Sequence, residues 1–402
     1  MTTITHSGAL DLPLEGLKVL DFTRVLAGPF GSAMLADAGA DVIKIEPFEG
    51  DDYRHMGYQV DGRSTNFEFV NRGKRSVRLN LKAPGAAGVI EKLARWADVV
   101  LENFKPGVAN RLGIGYSDLS PLNPSLVYCS ISGFGQTGPW AGRPAYDVII
   151  QAMTGLMDLT GDPEGPPTLV GESIADVAAG MFASWGVMAA LWQRSRTGKG
   201  RHLDVAMYDC LMSMMPTAVS RVVAGGAPAT RVGNRHVNSA PFGVFSAADG
   251  QFVLAVANDR LFARLATAMG YELLVTDSRF IGNGNRKKHE GALTALIEAW
   301  AKDKTVKTVV DQLDRHGVPA GPVLSVEQST QTDLAKSRAV VMQRTNSSGG
   351  KICFVEQPVR FGDLPRGRSV NAPELGAHTA DVLDMLGFST NEMNALREKG
   401  VI

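Results

Sequence analysis

Residues 16–22, GLKVLDF, make an apolar run of the length of one buried strand, and the turn Ala27-Gly28-Pro29 leads from it into a helical pattern ending near Ala38. Gly39 stops that helix, and residues 41–46 (DVIKIE) read as a second strand. Strand, glycine-bearing turn, helix and strand in so short a stretch make a βαβ unit, whose short links predict parallel strands. The alternation continues with strands at 76–81, 98–102 and 125–131 and a helix at 83–96. It predicts an α/β fold, a large Rossmann-like open parallel sheet with helices on its faces. A turn-rich loop at 161–167 then precedes a long helix, 173–196, and a strand at 202–205. Residues 225–238 are loop-like, and strands at 242–246 and 252–256 flank Asp249-Gly250, a hairpin signal. Helical pattern runs to His316, and 318–323 (VPAGPV) is extended. The expected organisation is a large α/β domain over 1–224, a smaller α+β domain over 225–325, and a return to the large domain over 326–402, with a strand at 352–355 and a helix at 379–386.

Composition narrows the function classes. Of 402 residues, 44% are hydrophobic and 20% charged, as in a soluble enzyme. Lysine plus arginine equals aspartate plus glutamate, 41 each, so no basic field argues for a nucleic-acid partner. Cys129, Cys210 and Cys353 offer neither a disulfide framework nor a metal pattern, which fits a reducing cytoplasm. The first 16 residues lack a signal-peptide profile. The most apolar stretch, 174–192, is rich in Ala and Gly and carries Asp176, so it reads as a buried amphipathic helix rather than a membrane span. The seven histidines show no ligand spacing, so no metal site is expected; His236 alone sits in a loop suited to substrate contact.

Two regions carry candidate chemistry. The turn Leu26-Ala27-Gly28-Pro29-Phe30-Gly31 departs from GxGxxG, which removes the dinucleotide fingerprint but leaves room for another pyrophosphate; by itself it reads more simply as a shaped turn. Basic and polar clusters at 71–75, leading to Leu79 and Lys82, and at 102–107, leading to Arg111, lie at strand ends, where open α/β sheets collect ligands. Arginine and lysine suit phosphates, and Asn103 can bond a base or an amide; solvated turns are the bland alternative. Asp176 lies among small apolar residues, where desolvation would make its carboxylate a nucleophile toward a thioester carbonyl. Ser173 three residues earlier also makes a capping box, and without further context the cap is the simpler reading.

Read together, these pieces resemble the family III CoA-transferases. The matching segments are residues 17–22, Ala27-Gly28-Pro29, 41–46, 71–75, Glu102-Asn103-Phe104 with Pro106-Gly107, Gly133-Phe134-Gly135, 197–200 and 318–323, in family order over nearly the whole chain. The resemblance implies coenzyme A as substrate, no tightly bound cofactor, acyl-CoA and carboxylic acid partners, and an interlocked homodimer. It puts Asp176 at the position of the nucleophile, which would carry CoA as an aspartyl thioester. It puts Leu79, Lys82, Asn103, Phe104, Lys105 and Arg111 at CoA-contacting positions, with Arg143 to Tyr146 lining the site and Leu26 and Ala27 facing substrate. Leu26 stands where formyl-CoA transferase has a glutamine touching oxalate, and that enzyme's run of glycines is replaced by residues 233–243. Both departures count against oxalate; with Arg24 beside the turn to meet a carboxylate or phosphate, the expected acceptor is a dicarboxylate such as succinate. The related α-methylacyl-CoA racemases have a histidine where this chain has Tyr146, and a phenol is a poor proton-exchange partner at neutral pH. A CoA-binding protein without catalysis is the remaining alternative.

Overall fold

The computed structural model describes residues 12–345, 350–355, 357–362, 364 and 371–402; His6 and most of the leader fall outside them. The chain divides into two compact units, one made of residues up to Leu156, Val170–Gly225 and Lys336–Ile402, the other of Met157–Leu169 and Gly226–Ala335.

The larger unit is built on six strands: β1 (Lys18–Asp21), β2 (Asp41–Glu46), β3 (Arg75–Arg78), β4 (Val99–Glu102), β5 (Val127–Ser132) and β6 (Arg201–Ala206). They lie in the order β3-β2-β1-β4-β5-β6, and every neighbouring pair is parallel. The order reverses between β1 and β4, so a crevice opens at their carboxyl ends. Central strands are buried on both faces, which is why they read as continuous apolar runs.

Four helices matter for the site: α1 (Ala27–Asp37), α2 (Ala86–Trp96), α3 (Asp147–Thr154) and α4 (Ile174–Thr197). In α2, Val89, Ile90, Leu93 and Ala94 form one apolar stripe and join a core on one face of the sheet. The helices Thr379–Met385 and Thr390–Glu398 close that core, so the C-terminal segment packs into the larger unit. On the other face, α1 and α4 pack with backbones nearly touching. A Cβ added to Gly180 would lie 2.6 Å from the Ala27 carbonyl oxygen, and one on Gly31 would lie 2.8 Å from that of Gly180. Ser184 Oγ donates to the Gly31 carbonyl at 3.0 Å. Only glycine permits this approach, which explains the Ala/Gly composition of α4.

As expected of an amphipathic helix, α4 buries one face, but its other face carries apolar rather than polar residues. Its small-residue side is buried, whereas Trp185 and Trp192 on the other side are each 70% exposed. Among the described residues it is the one helix long and apolar enough to cross a membrane by length and composition.

The smaller unit is a three-stranded antiparallel sheet, Phe242–Ala247, Gly250–Ala255 and Ala320–Pro322, with the hairpin turning at Ala248-Asp249. Phe245, Phe252 and Leu254 pack under helices Asp259–Met269, Glu290–Ala301 and Val306–Arg315. The turn-rich segment 157–169 belongs to this unit, where Arg231 pairs with Asp158 at 3.2 Å, and so do residues 326–335.

Candidate active site

The switch point between β1 and β4 is tied by side chains. Asn103, just past β4, accepts the Arg24 backbone N–H through Oδ1 and donates Nδ2 to the Arg24 carbonyl, both at 2.8 Å. One residue on, Val25 adopts φ +64°, a left-handed conformation that a β-branched residue rarely takes. Its N–H is held by the Asp51 carboxylate, with Oδ1 at 3.0 Å. Asp51 is ion-paired to Lys44 at 2.8 Å, and Lys44 Nζ also donates to the Thr23 carbonyl at 2.7 Å. Three successive residues of the turn are thus held by buried or half-buried polar groups, which offset its strain.

Beneath the turn lies Asp21, fully buried. Burial alone would push its pKa up, but Lys74, Lys44 and the hydroxyls of Ser32 and Thr23 bring it down to about 2. Lys74, read from the sequence as part of a phosphate-binding cluster, is fully buried and spent on Asp21 and Asn71. Arg72 pairs with Asp37 and Arg75 with Asp41. That basic run braces the fold.

Two cavities open at the crevice and share Arg24 and Phe104 as walls. One, of about 440 Å³, is lined by Phe22, Ile45, Phe48, Leu79, Lys82 and Leu112 among others. The other, of about 350 Å³, is lined by Val25, Leu26, Ala27, Asn103, Lys105, Ser132, Gly133, Arg143, Tyr146 and Asp176. An apolar shelf with a lysine at one end and a polar chamber at the other suits an elongated ligand with a charged head.

Asp176 sits in the first turn of α4, half-buried. The capping box read from the sequence does not form, because the Ser173 side chain makes no capping hydrogen bond. The Ala175 N–H is taken instead by Asp147 Oδ1 at 2.7 Å. A carboxylate that accepts backbone N–H groups has its pKa lowered. Asp176 is pushed the other way, to about 7, by burial and then by the negative charge of Asp147. The chain supplies its own contrast at Ser389 and Glu392, where both halves of a capping box form and Glu392 is lowered by its bonds to Ser389.

The chain matches CoA-transferase family III over residues 14–379. The protein belongs to that family. An acetyl-CoA:oxalate CoA-transferase of Acetobacter aceti is 44% identical over 90% of this chain and 93% of its own. A succinate–glutarate CoA-transferase of Agrobacterium fabrum is 37% identical over 92% and 95%. A CAIB/BAIF family protein from Brucella suis superposes with a TM-score of 0.82 at 38% identity, covering 93% of this chain and 99% of that one.

In this CoA-transferase, Leu79 and Lys82 line the larger cavity, and Phe104 stands where the two meet. Lys105, Arg143, Tyr146, Leu26 and Ala27 line the chamber that holds Asp176. Both ends of the Asn103 carboxamide bind the Arg24 backbone, so its first task is to hold the turn. Arg24 is paired with Asp52 at 2.9 Å. Arg111 is exposed on the short helix Val108–Arg111 and lines neither cavity. His236 lies in the smaller unit, its ring stacked on Phe242 with centroids 4.6 Å apart. Sequence reasoning missed Asp51, Lys44 and Asp147. It also missed Tyr53, whose hydroxyl is pushed up by burial and by the charges of Asp176, Glu172 and Asp51. Among the described residues no cluster of His, Cys, Asp and Glu is placed to hold a metal.

Proposed function

We propose that this transferase moves CoA from an acyl-CoA to a dicarboxylic acid through a thioester on Asp176. The observation that carries the reading is the state of that carboxylate: it lines the chamber that opens beside the larger cavity, makes no capping box, and has its proton affinity raised by burial and then by Asp147. An ionised Asp176 oxygen attacks the thioester carbonyl carbon, and the CoA thiolate leaves, giving a mixed anhydride. The thiolate then attacks the Asp176 side of the anhydride and releases the donor acid, leaving CoA on the enzyme. An acceptor carboxylate repeats both steps in reverse order. The activated bond is kept throughout, so neither ATP nor a tightly bound cofactor is needed.

The acceptor's second carboxylate is assigned to Arg143. Arg24, the candidate from sequence, already has Asp52 as its counter-ion, whereas Arg143 lines the chamber over the Trp140 ring and has no ion pair among the described residues. Relatives named for oxalate, glutarate, citramalate and mesaconate all act on diacids. Because the oxalate enzyme is 44% identical, Leu26 loses its force against oxalate, and oxalate joins succinate and glutarate as a candidate.

We further propose a homodimer in the cytoplasm. Its support is the exposed stripe of Met181, Trp185, Met188 and Trp192 on α4, an apolar surface of the kind that marks an interface.

The test is mass spectrometry of protein incubated with an acyl-CoA and quenched. The expected product is CoA on the peptide holding Asp176, lost in Asp176→Ala. An adduct elsewhere, or turnover by Asp176→Ala, refutes the reading. Transfer to monocarboxylates alone would refute the diacid assignment.

A further inference from the structure

Gln151, on α3, is 1% exposed and uses its whole carboxamide on the approach to α4. Its Oε1 accepts the Val170 N–H at 3.0 Å, and its Nε2 donates to the Glu172 carbonyl at 3.1 Å. The same Nε2 donates to Asp147 Oδ2 at 2.6 Å, and Asp147 Oδ1 accepts the Ala175 N–H. Asp147 and Gln151 are four residues apart, so they share a face of α3 and reach the 170–175 segment together. That segment is therefore held at three points, residues 170, 172 and 175, by one pair of side chains. The local alternative is absent, since Ser173 does not cap.

A buried carboxamide is costly unless its donors and acceptor are all met. Here they are met, and each bond ends on the segment that delivers Asp176 or on the residue that caps its helix. An apolar side chain of the same size would fill the space and bind none of these groups. We propose that Gln151 is a positioning residue for CoA transfer: with Asp147 it fixes the entry to α4, and so the direction in which the Asp176 carboxylate faces the chamber. This rests on Asp176 being the residue that carries CoA. Gln151 touches no substrate and acts through Asp147 and the 170–175 backbone.

The role predicts a loss in rate without a loss in CoA binding, because the walls of the larger cavity come from β2 and the segments after β1, β2, β3 and β4 rather than from α3. The experiment measures loading of the full-length chain by acetyl-CoA and by succinyl-CoA, read as CoA adduct on the Asp176 peptide, with melting curves taken in parallel. Gln151→Met is expected to load ten- to a hundredfold more slowly at saturating acyl-CoA, with the half-saturating concentration within twofold of wild type. Gln151→Glu sets two carboxylates against each other and is expected to be slower still. Adding Asp147→Asn to it restores an amide–carboxylate pair with reversed polarity, and the double variant is expected to regain at least tenfold over Gln151→Glu.

Loading by Gln151→Met within twofold of wild type overturns the proposal, as does a defect confined to the half-saturating concentration. Should Gln151→Met melt below the assay temperature, the comparison of Gln151→Glu with the double variant decides: no recovery overturns it. A wild type that never acquires CoA on Asp176 sinks the aspartyl reading and this proposal with it. A wild type that loads beside an unimpaired Gln151→Met sinks this proposal alone.

Discussion

At the scale of single residues, the site is a set of carboxylates sorted by what surrounds them. Asp21 and Asp51 are buried beside lysines and held low, while Asp176, half-buried and with no ion pair among the described residues, is held high. A raised carboxyl binds a proton more tightly in the folded chain than in the unfolded one. Its contribution to stability is therefore present below the unfolded value near 4 and is lost as pH rises toward 7. Asp176→Asn removes that cost, so at pH 8 it is expected to abolish transfer while raising unfolding stability by about 1–3 kcal/mol in denaturant titration. Asp51→Asn is expected to do the opposite. It leaves Lys44 buried without its nearest counter-ion and should cost about 3–5 kcal/mol, with the Val25 turn released and activity reduced. From its neighbours alone Asp176 reads as readily as a cap, because Ser-x-x-Asp before an apolar run suits both. The resemblance assigns the nucleophile, and the structure removes the cap, since Ser173 does not bond and Asp147 takes the Ala175 N–H. Lys44 was illegible for a similar reason. A lysine in a strand reads as a solvent-facing position until its buried partner is seen.

At the scale of elements, α3 shows where periodicity fails. In its sequence DVIIQAMT, Val148 and Ile149 are exposed while Gln151 is buried, so the pattern that would announce a helix is inverted. The strands of the large sheet, by contrast, fall within a few residues of their sequence assignments, since strands buried on both faces announce themselves as apolar runs. Asp147, at the start of α3, also adds its charge to the burial that raises Asp176. The groups around Asp176 are Asp147 on α3, Glu172 before α4, Asp51 and Tyr53 beyond β2, and, lining the chamber, Arg24 with Asp52, Lys105, Arg143 and Tyr146. Of these, Asp147 is the charge that raises Asp176. Wild-type loading should fall as pH drops through about 7, where Asp176 gains its proton. Asp147→Asn keeps an oxygen for the Ala175 N–H but removes the charge, so its acid limb is expected at lower pH in a pH–rate profile. Gly180→Ala tests the helix contact. With the Ala27 carbonyl 2.6 Å from the new Cβ, α1 and α4 must separate, at an expected cost of about 1–3 kcal/mol in thermal unfolding.

At the scale of the whole molecule, the α/β class and the position of the hairpin were readable, whereas the strand order was not, because periodicity says nothing about which strands pair. The membership of 157–169 was hidden as well, since it rests on contacts such as Arg231–Asp158 between segments distant in sequence. Two opposed groups of carboxyls set the molecule's pH response. Asp21, Glu46 and Asp51 are lowered, so they stabilise above their unfolded values and lose that effect as pH falls. Asp176 and Glu102, both raised to about 7 by burial first, act in the other direction as pH rises. Melting temperature is therefore expected to peak on the acid side of neutrality, between about pH 4 and 6, while activity is greater near pH 8. If α4 forms the proposed dimer interface, replacing Trp185 and Trp192 together by aspartate is expected to lower the mass found by light scattering from that of two chains to that of one; an unchanged mass counts against the interface.

Where α1 and α4 meet through Gly31 and Gly180, no side chain stands between the two backbones. A displacement of the turn that begins at Ala27 is therefore expected to carry the start of the helix that bears Asp176 with it, because packed backbones leave no side chain to absorb the shift. On the proposed reading, a change of acceptor acid is expected to fall on Leu26, Arg143 and Tyr146, which line the chamber outside that contact.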